Sequence, residues 1–228
     1  MTFEEMVRAV EVDIVFGVYP ANARLTEESL TTRFGAKRHL VREAFSHLEK
    51  MGFVQRIPNR GVVVNELKPR QVEDIYGVRV LLETGAARIT PLPAPISAIA
   101  GMEHIQDLHE QAVHEGNFRR VFSLNIDFHH LQYSICPNAE LSRAIAEFSR
   151  RAHMIRALQY SDAQHMQKIV RQHRAIIAAM KGRSTEAYVE AVAAHFPASP
   201  EEYRRHFERK YGVGFAEQST VTATVAGT

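Results

Sequence analysis

Residues 26–64 read TEESLTTRFGAKRHLVREAFSHLEKMGFVQRIPNRGVVV, and the punctuation of this stretch decides the fold. Thr26 is a good N-cap, so a short helix through Phe34 is expected, ended by Gly35. A longer helix follows over about 38–51. Its apolar positions Leu40, Val41, Ala44, Phe45, Leu48 and Met51 share one face, and Gly52 closes it. Two extended pieces come next, Phe53 to Ile57 and Val62 to Val64. They are separated by the turn-forming tetrad Pro58-Asn59-Arg60-Gly61. Upstream, Phe3, Met6, Val7, Val10, Ile14 and Val15 form a helical stripe that Gly17 and Pro20 terminate. Helix, helix, tight turn, helix, hairpin is the order of a winged helix-turn-helix.

That order gives the charges a purpose. Residues 33–42 hold Arg33, Lys37, Arg38 and Arg42 and no acidic residue. Taken alone, such a run is as well explained by a solvated helix face. In a winged helix, however, Lys37, Arg38, His39 and Arg42 fall at the start of the helix that enters the major groove. There the unpaired N–H groups favour phosphate and an arginine can bridge guanine O6 and N7. Arg56 and Arg60 flank the hairpin tip, where backbone contact is expected.

The stretch 13–64 resembles the GntR family of bacterial regulators. The resemblance rests on Gly17, Pro20, Leu25-Thr26-Glu27, Arg38, Val41-Arg42-Glu43-Ala44, Leu48, Gly52 and Asn59-Arg60-Gly61. It implies operator contacts from Arg38, His39, Arg42 and the Gly61 wing; with Lys37 at the helix start, the expected DNA-binding set is Lys37, Arg38, His39, Arg42, Asn59, Arg60 and Gly61. The family usually has Ser or Thr where Lys37 stands. Lysine cannot accept the capping N–H bond, so the cap is lost or exchanged for a phosphate contact.

The whole chain has 228 residues, 45% of them hydrophobic, and a net charge of only +2. That length suits two modest domains. No run of about 18 apolar residues suggests a membrane span, and the acidic start argues against a signal peptide. One cysteine, Cys136, fits a reducing cytoplasm. The expected division is a DNA-binding domain over 1–68, a helical effector-binding and dimerisation domain over 69–215, and a disordered tail over 216–228. Helical periodicity resumes at Val72 to Ile89, and further helices are expected at about 96–115, 117–135, 138–160, 162–181, 184–196 and 199–210. The fold class is therefore mostly α: an N-terminal winged helix-turn-helix plus a C-terminal all-α bundle of six or seven helices.

Twelve histidines invite a search for a site. His104, His109 and His114 are five apart and share no helix face. His130, His153, His165 and His206 lack partners at useful spacing, so a solvated or satisfied ring is the reading for each. Asn125 and His129 are four apart and lie on one face. His173 and His195 sit at the edges of apolar helix faces, beside Ile176 and Ile177 and beside Val192 and Phe196. Spacing alone leaves open whether these are ligands or core histidines.

This half resembles the FCD-type effector domain of the FadR branch of the same family. The resemblance lies in Arg79-x-x-Leu82-Glu83, Asn125-Ile126-Asp127-Phe128-His129, the Asn138 turn, and the settings of His173 and His195. It implies a metal held by Asn125, His129, His173 and His195, with Asn in a place where Asp is common. Three imidazoles and an amide leave the full charge on a divalent ion, and nitrogen-rich ligation suits zinc or nickel. A small carboxylic acid could bind the ion, with Arg79, Arg151 or Arg156 clamping a second carboxylate. The function expected is a metabolite-responsive repressor or activator, a homodimer on a pseudo-palindromic DNA operator. Two rivals remain at this point: a metal-dependent enzyme using the same histidines, and a structural bundle in which they are incidental.

Overall fold

The computed structural model describes residues 2–156, 163–196 and 199–212. The tail expected at 216–228 lies outside the described residues. Helix α1 (Phe3–Val15) opens with a reciprocal cap in which the Glu5 N–H donates to Thr2 Oγ1 at 3.1 Å and the Thr2 N–H to Glu5 Oε2 at 2.7 Å. Strand β1 (Arg24–Leu25), helix α2 (Glu27–Phe34), helix α3 (Arg38–Lys50) and strands β2 (Val54–Ile57) and β3 (Gly61–Val64) follow. Thr26 caps α2 as expected, accepting from the Ser29 N–H at 3.1 Å, and Gly35 ends it in the left-handed region.

The sheet has three strands in the order β1-β3-β2, all antiparallel, where the sequence showed two. Strand β1 is only two residues long, too short for any alternating pattern to register. The β2–β3 turn closes with Ile57 opposite Gly61, and Asn59 and Gly61 both adopt positive φ, which asparagine and glycine tolerate best. Val41, Ala44, Phe45 and Leu48 of α3 bury against Leu30, Val10 and Phe53. Helix α3 is thus fixed by its inner face and exposed on its outer one.

The helical region comprises α4 (Pro69–Ile89), α5 (Ile96–His114), α6 (Phe118–Ser134), α7 (Ala139–Arg151), the one-turn α8 (His153–Arg156), α9 (Ala163–Lys181), α10 (Thr185–Ala193) and α11 (Ser199–Tyr211). Helix α4 starts at Pro69, earlier than the apolar stripe announced, because proline suits the first helical position and the Gln71 side chain accepts from the Lys68 N–H at 2.8 Å. The single helix expected at 138–160 is broken after Arg151. The break lets Ala152 and Ile155 join the helical core while the His153 ring turns toward α1, where its Nδ1 lies 2.5 Å from Glu11 Oε1. Tertiary contacts override a locally helical sequence here.

Two large apolar cores, with a small third around Ala86, Tyr133, Cys136 and Ile145, organise the described residues. One unites α1–α3 and the sheet, and extends into Ala112, Val121, Phe122 and Met166 of the helical region. The other joins α4, α5, α6, α9 and α10 around Met102, Phe128, Ile176, Met180 and Tyr188. No helix among the described residues is long and apolar enough to cross a membrane.

Candidate functional site

The outer face of α3 is one candidate site. Lys37 is its N-cap residue and makes no side-chain capping bond, so the helix start keeps its free N–H groups. Lys37, Arg38 and His39 are all exposed, and the first turn contains no acidic residue. Arg42 is exposed too, but its Nε donates to Glu27 Oε1 of α2 at 2.7 Å, and this bond holds the Glu27 carboxyl below its ordinary range. The wing residues Asn59, Arg60 and Gly61 are exposed at the sheet's tip. Arg56 is held back by α3: its Nε donates to Glu49 Oε2 and its Nη2 to Ser46 Oγ, each at 3.0 Å. Leu40 packs partly buried against the first core.

The second candidate site is a histidine cluster on the edge of the helical core. His129 comes from the middle of α6, His173 from α9 and His195 from the turn after α10. Each offers a ligand atom, and the three atoms lie within 4.8 Å of one another. Ring centroids are 5.2 Å apart for His129–His173 and 5.0 Å for the other two pairs. The Nε2 atoms of His129 and His195 approach to 3.2 Å. Two nitrogens bound at about 2.0–2.1 Å to one ion would be separated by a similar distance. Phe128 stacks on His173 at 4.1 Å and fixes its plane.

Each imidazole also has its Nδ1 against a glutamine oxygen: Gln132 at 3.0 Å from His129, Gln106 at 2.8 Å from His173 and Gln172 at 3.2 Å from His195. Sequence reasoning passed over all three glutamines, because an amide carries no chemistry of its own. Gln132, three residues after His129 on one helix, was findable.

Asn125 stands one turn before His129 and is buried, and its amide nitrogen has no hydrogen-bond partner among the described residues. Turning that amide to face an ion with its oxygen would break no bond of the nitrogen. The three imidazoles, at these separations, fit a divalent cation, and the Asn125 amide stands one helical turn from His129.

The arginines expected near a ligand are placed differently. Arg79 is enclosed in the protein, paired with Glu83 at 2.9 Å and flanked by the rings of Tyr76 and Phe196. Tyr133 donates to the same carboxylate at 2.5 Å, and burial with the Glu83 charge pushes its hydroxyl well above the usual phenol range. Arg151 lies over the ring of Phe148, and the side chain of Arg156 lies outside the described residues. A cavity of about 260 Å³ adjoins the cluster at His129, and the arginines on its wall are Arg143 and Arg150.

Three histidines given no role by spacing are buried, His109, His153 and His165, the last with its Nδ1 3.8 Å from Glu202 Oε2 of α11. His153 is the α8 partner of Glu11 described above. His109 is 1% exposed, its ring lies 5.2 Å from that of His173, and neither of its nitrogens is hydrogen-bonded among the described residues. Burial pushes its pKa down to about 4, so it stays neutral. A buried polar atom without a partner costs about 1–3 kcal/mol. Replacing His109 by methionine is therefore expected to stabilise the protein by a similar amount in denaturant unfolding. A loss of stability would show that the ring does more than occupy space.

Comparison with known proteins agrees with both halves. The family described as "Bacterial regulatory proteins, gntR family" matches residues 2–64, and the FCD domain family matches residues 74–198. A Bacillus subtilis protein named as the uncharacterized HTH-type transcriptional regulator YdhC is 29% identical over 181 residues, spanning 79% of this chain and 81% of its own. The HTH-type transcriptional repressor RspR of Escherichia coli is 26% identical over 204 residues, 89% of each chain. Among solved structures, E. coli McbR/YncC superposes with a TM-score of 0.79 at 18% identity, covering 91% of this chain and all of that one, which is a likeness of fold. These families and relatives are regulators of transcription, not enzymes. With a gntR-type DNA-binding region followed by an FCD domain, the chain belongs to the GntR family of bacterial transcriptional regulators, in its FadR-like subfamily.

Proposed function

We propose that this regulator binds a pseudo-palindromic operator as a homodimer in the cytoplasm, and that a small carboxylic acid tunes that binding from a metal site in the helical domain. The division of labour is residues 1–68 for DNA and residues 69–215 for effector and pairing. The observation that carries the reading is the start of α3, where three basic or imidazole side chains are exposed around free N–H groups with no acidic residue in the first turn. Lys37, Arg38, His39 and Arg42 reach into the major groove, and Asn59, Arg60 and Gly61 follow the phosphates or the minor groove. Pairing of the helical domains is supported by Leu81 and Ile96, which are 74% and 89% exposed on α4 and α5.

The metal, zinc or nickel, is held by His129, His173 and His195 with Asn125 as a weaker fourth ligand. When bound it supplies a positive charge and an open place for a carboxylate. The protein's part is to aim the imidazoles, exclude bulk water with Phe128 and the core behind it, and offer the adjoining cavity. Arg150 on the cavity wall suits a second carboxylate better than Arg79, which is already neutralised by Glu83, or Arg143, which is paired with Glu140. Effector binding shifts the balance between two placements of the DNA-binding domains. Selection of bound DNA from a random pool, repeated with sugar acids and dicarboxylates, tests operator symmetry and effector dependence together. An unsymmetrical consensus would count against the dimer, and effector-independent selection against the sensing role.

A further inference from the structure

We propose that Gln106, Gln132 and Gln172 form a neutral outer shell that aims the three imidazoles at one divalent ion while leaving its charge undiminished for an anion. This rests on the reading of the histidine cluster as a metal site. A histidine that ligates through Nε2 must carry its proton on Nδ1, and whatever accepts that proton fixes the ring's tautomer and orientation. Here all three Nδ1 atoms face a glutamine oxygen, at 2.8–3.2 Å.

The orientation of the amides follows from their other ends. Gln106 Nε2 donates to Glu110 Oε1 at 3.2 Å, and Gln172 Nε2 donates to the Ala194 carbonyl at 2.5 Å. Both of those partners only accept. Glu110 is kept ionised by Arg174, whose Nε donates to it at 2.6 Å. The amide nitrogens must therefore face away from the cluster and the oxygens toward it. Gln132 Nε2 donates to the Tyr188 hydroxyl at 3.1 Å, the one partner of the three that could also donate.

The choice of amide over carboxylate has a consequence for charge. A carboxylate behind a histidine raises the ligand's basicity and adds a negative charge near the ion. Three amides, together with Asn125 in place of an aspartate, add none. The ion then presents its whole double charge to an incoming carboxylate. At Gln106 and Gln172 a carboxylate would also face an acceptor with no proton between them, so only an amide satisfies both ends.

Cobalt(II) is the probe, because its visible absorption reports the geometry of a nitrogen-rich site. Gln132→Leu and Gln172→Ala are expected to weaken cobalt binding by about 10–100-fold in chelator competition. Gln132→Glu keeps an acceptor for His129, since Tyr188 can donate to it. It is expected to retain or raise cobalt affinity while weakening the malonate-induced change in the cobalt spectrum. A role confined to packing would not separate Gln132→Leu from Gln132→Glu in this way. Wild-type affinity in Gln132→Leu and Gln172→Ala, or unchanged malonate binding in Gln132→Glu, overturns the proposal while sparing the metal site. Absence of cobalt binding by the unmodified protein overturns both.

Discussion

Arg38→Ala and Arg42→Ala are each expected to reduce operator affinity by at least tenfold, with the larger loss in Arg42→Ala. An arginine seated on a guanine or a phosphate contributes about 1–3 kcal/mol, and Arg38 loses that contact alone. Arg42 carries a second consequence. Its guanidinium is bonded to Glu27, so removing it bares a carboxylate at the start of α2 beside α3. The double variant Glu27→Ala with Arg42→Ala should recover part of the deficit, and the non-additivity measures the coupling. Gel-shift titrations at two salt concentrations check this: fewer phosphate contacts give a shallower salt slope. Full affinity in both single variants would remove α3 from the interface.

The second large effect concerns the metal. His173→Ala is expected to take the protein from about one bound ion per chain to almost none, since it leaves two imidazoles and one weak amide, short of three strong side-chain ligands. His173 is completely buried and stacked on Phe128, so water cannot easily replace the missing nitrogen. Elemental analysis after dialysis reads the outcome directly. Operator binding without effector should survive, because the ring lies in the helical core and not on α3. An unchanged metal content would assign the ion elsewhere.

The gntR-type half was legible apart from β1 because most of its boundaries are marked by one residue with one physical preference. Thr26, Gly35, Gly52 and Gly61 all stand where their conformations require. Lysine's inability to cap α3 was legible too, and the structure shows no side-chain bond there. What escaped was set by long-range contacts. Strand β1 exists only because β3 pairs with it, and the break after Arg151 answers to a carboxylate on α1 that is remote in sequence. For the candidate site, the four-residue step from Asn125 to His129 was readable, whereas the convergence of α6, α9 and the turn after α10 was carried by resemblance alone. His109 shows the limit most sharply. Its fivefold spacing correctly denied it a shared face with His104 and His114, yet said nothing of its burial beside His173.

Helix α6 is a rod of 17 residues, about 25 Å long, that touches α1 near one end and carries Asn125 and His129 further along. Near its start, Arg119 reaches Asp13 of α1 at 3.3 Å, and Arg8 of α1 reaches Ser123 at 2.6 Å. Asp13 in turn lies 2.5 Å from Arg33 at the end of α2. Asn125 and His129 stand one and two turns further along the same rod. A tilt small enough to leave every helix intact, if set by what sits between those side chains, would swing the anchors at the other end and carry the reading head with them. The spacing of the two heads across a pair of half-sites would then register the chemical content of the cavity as a length.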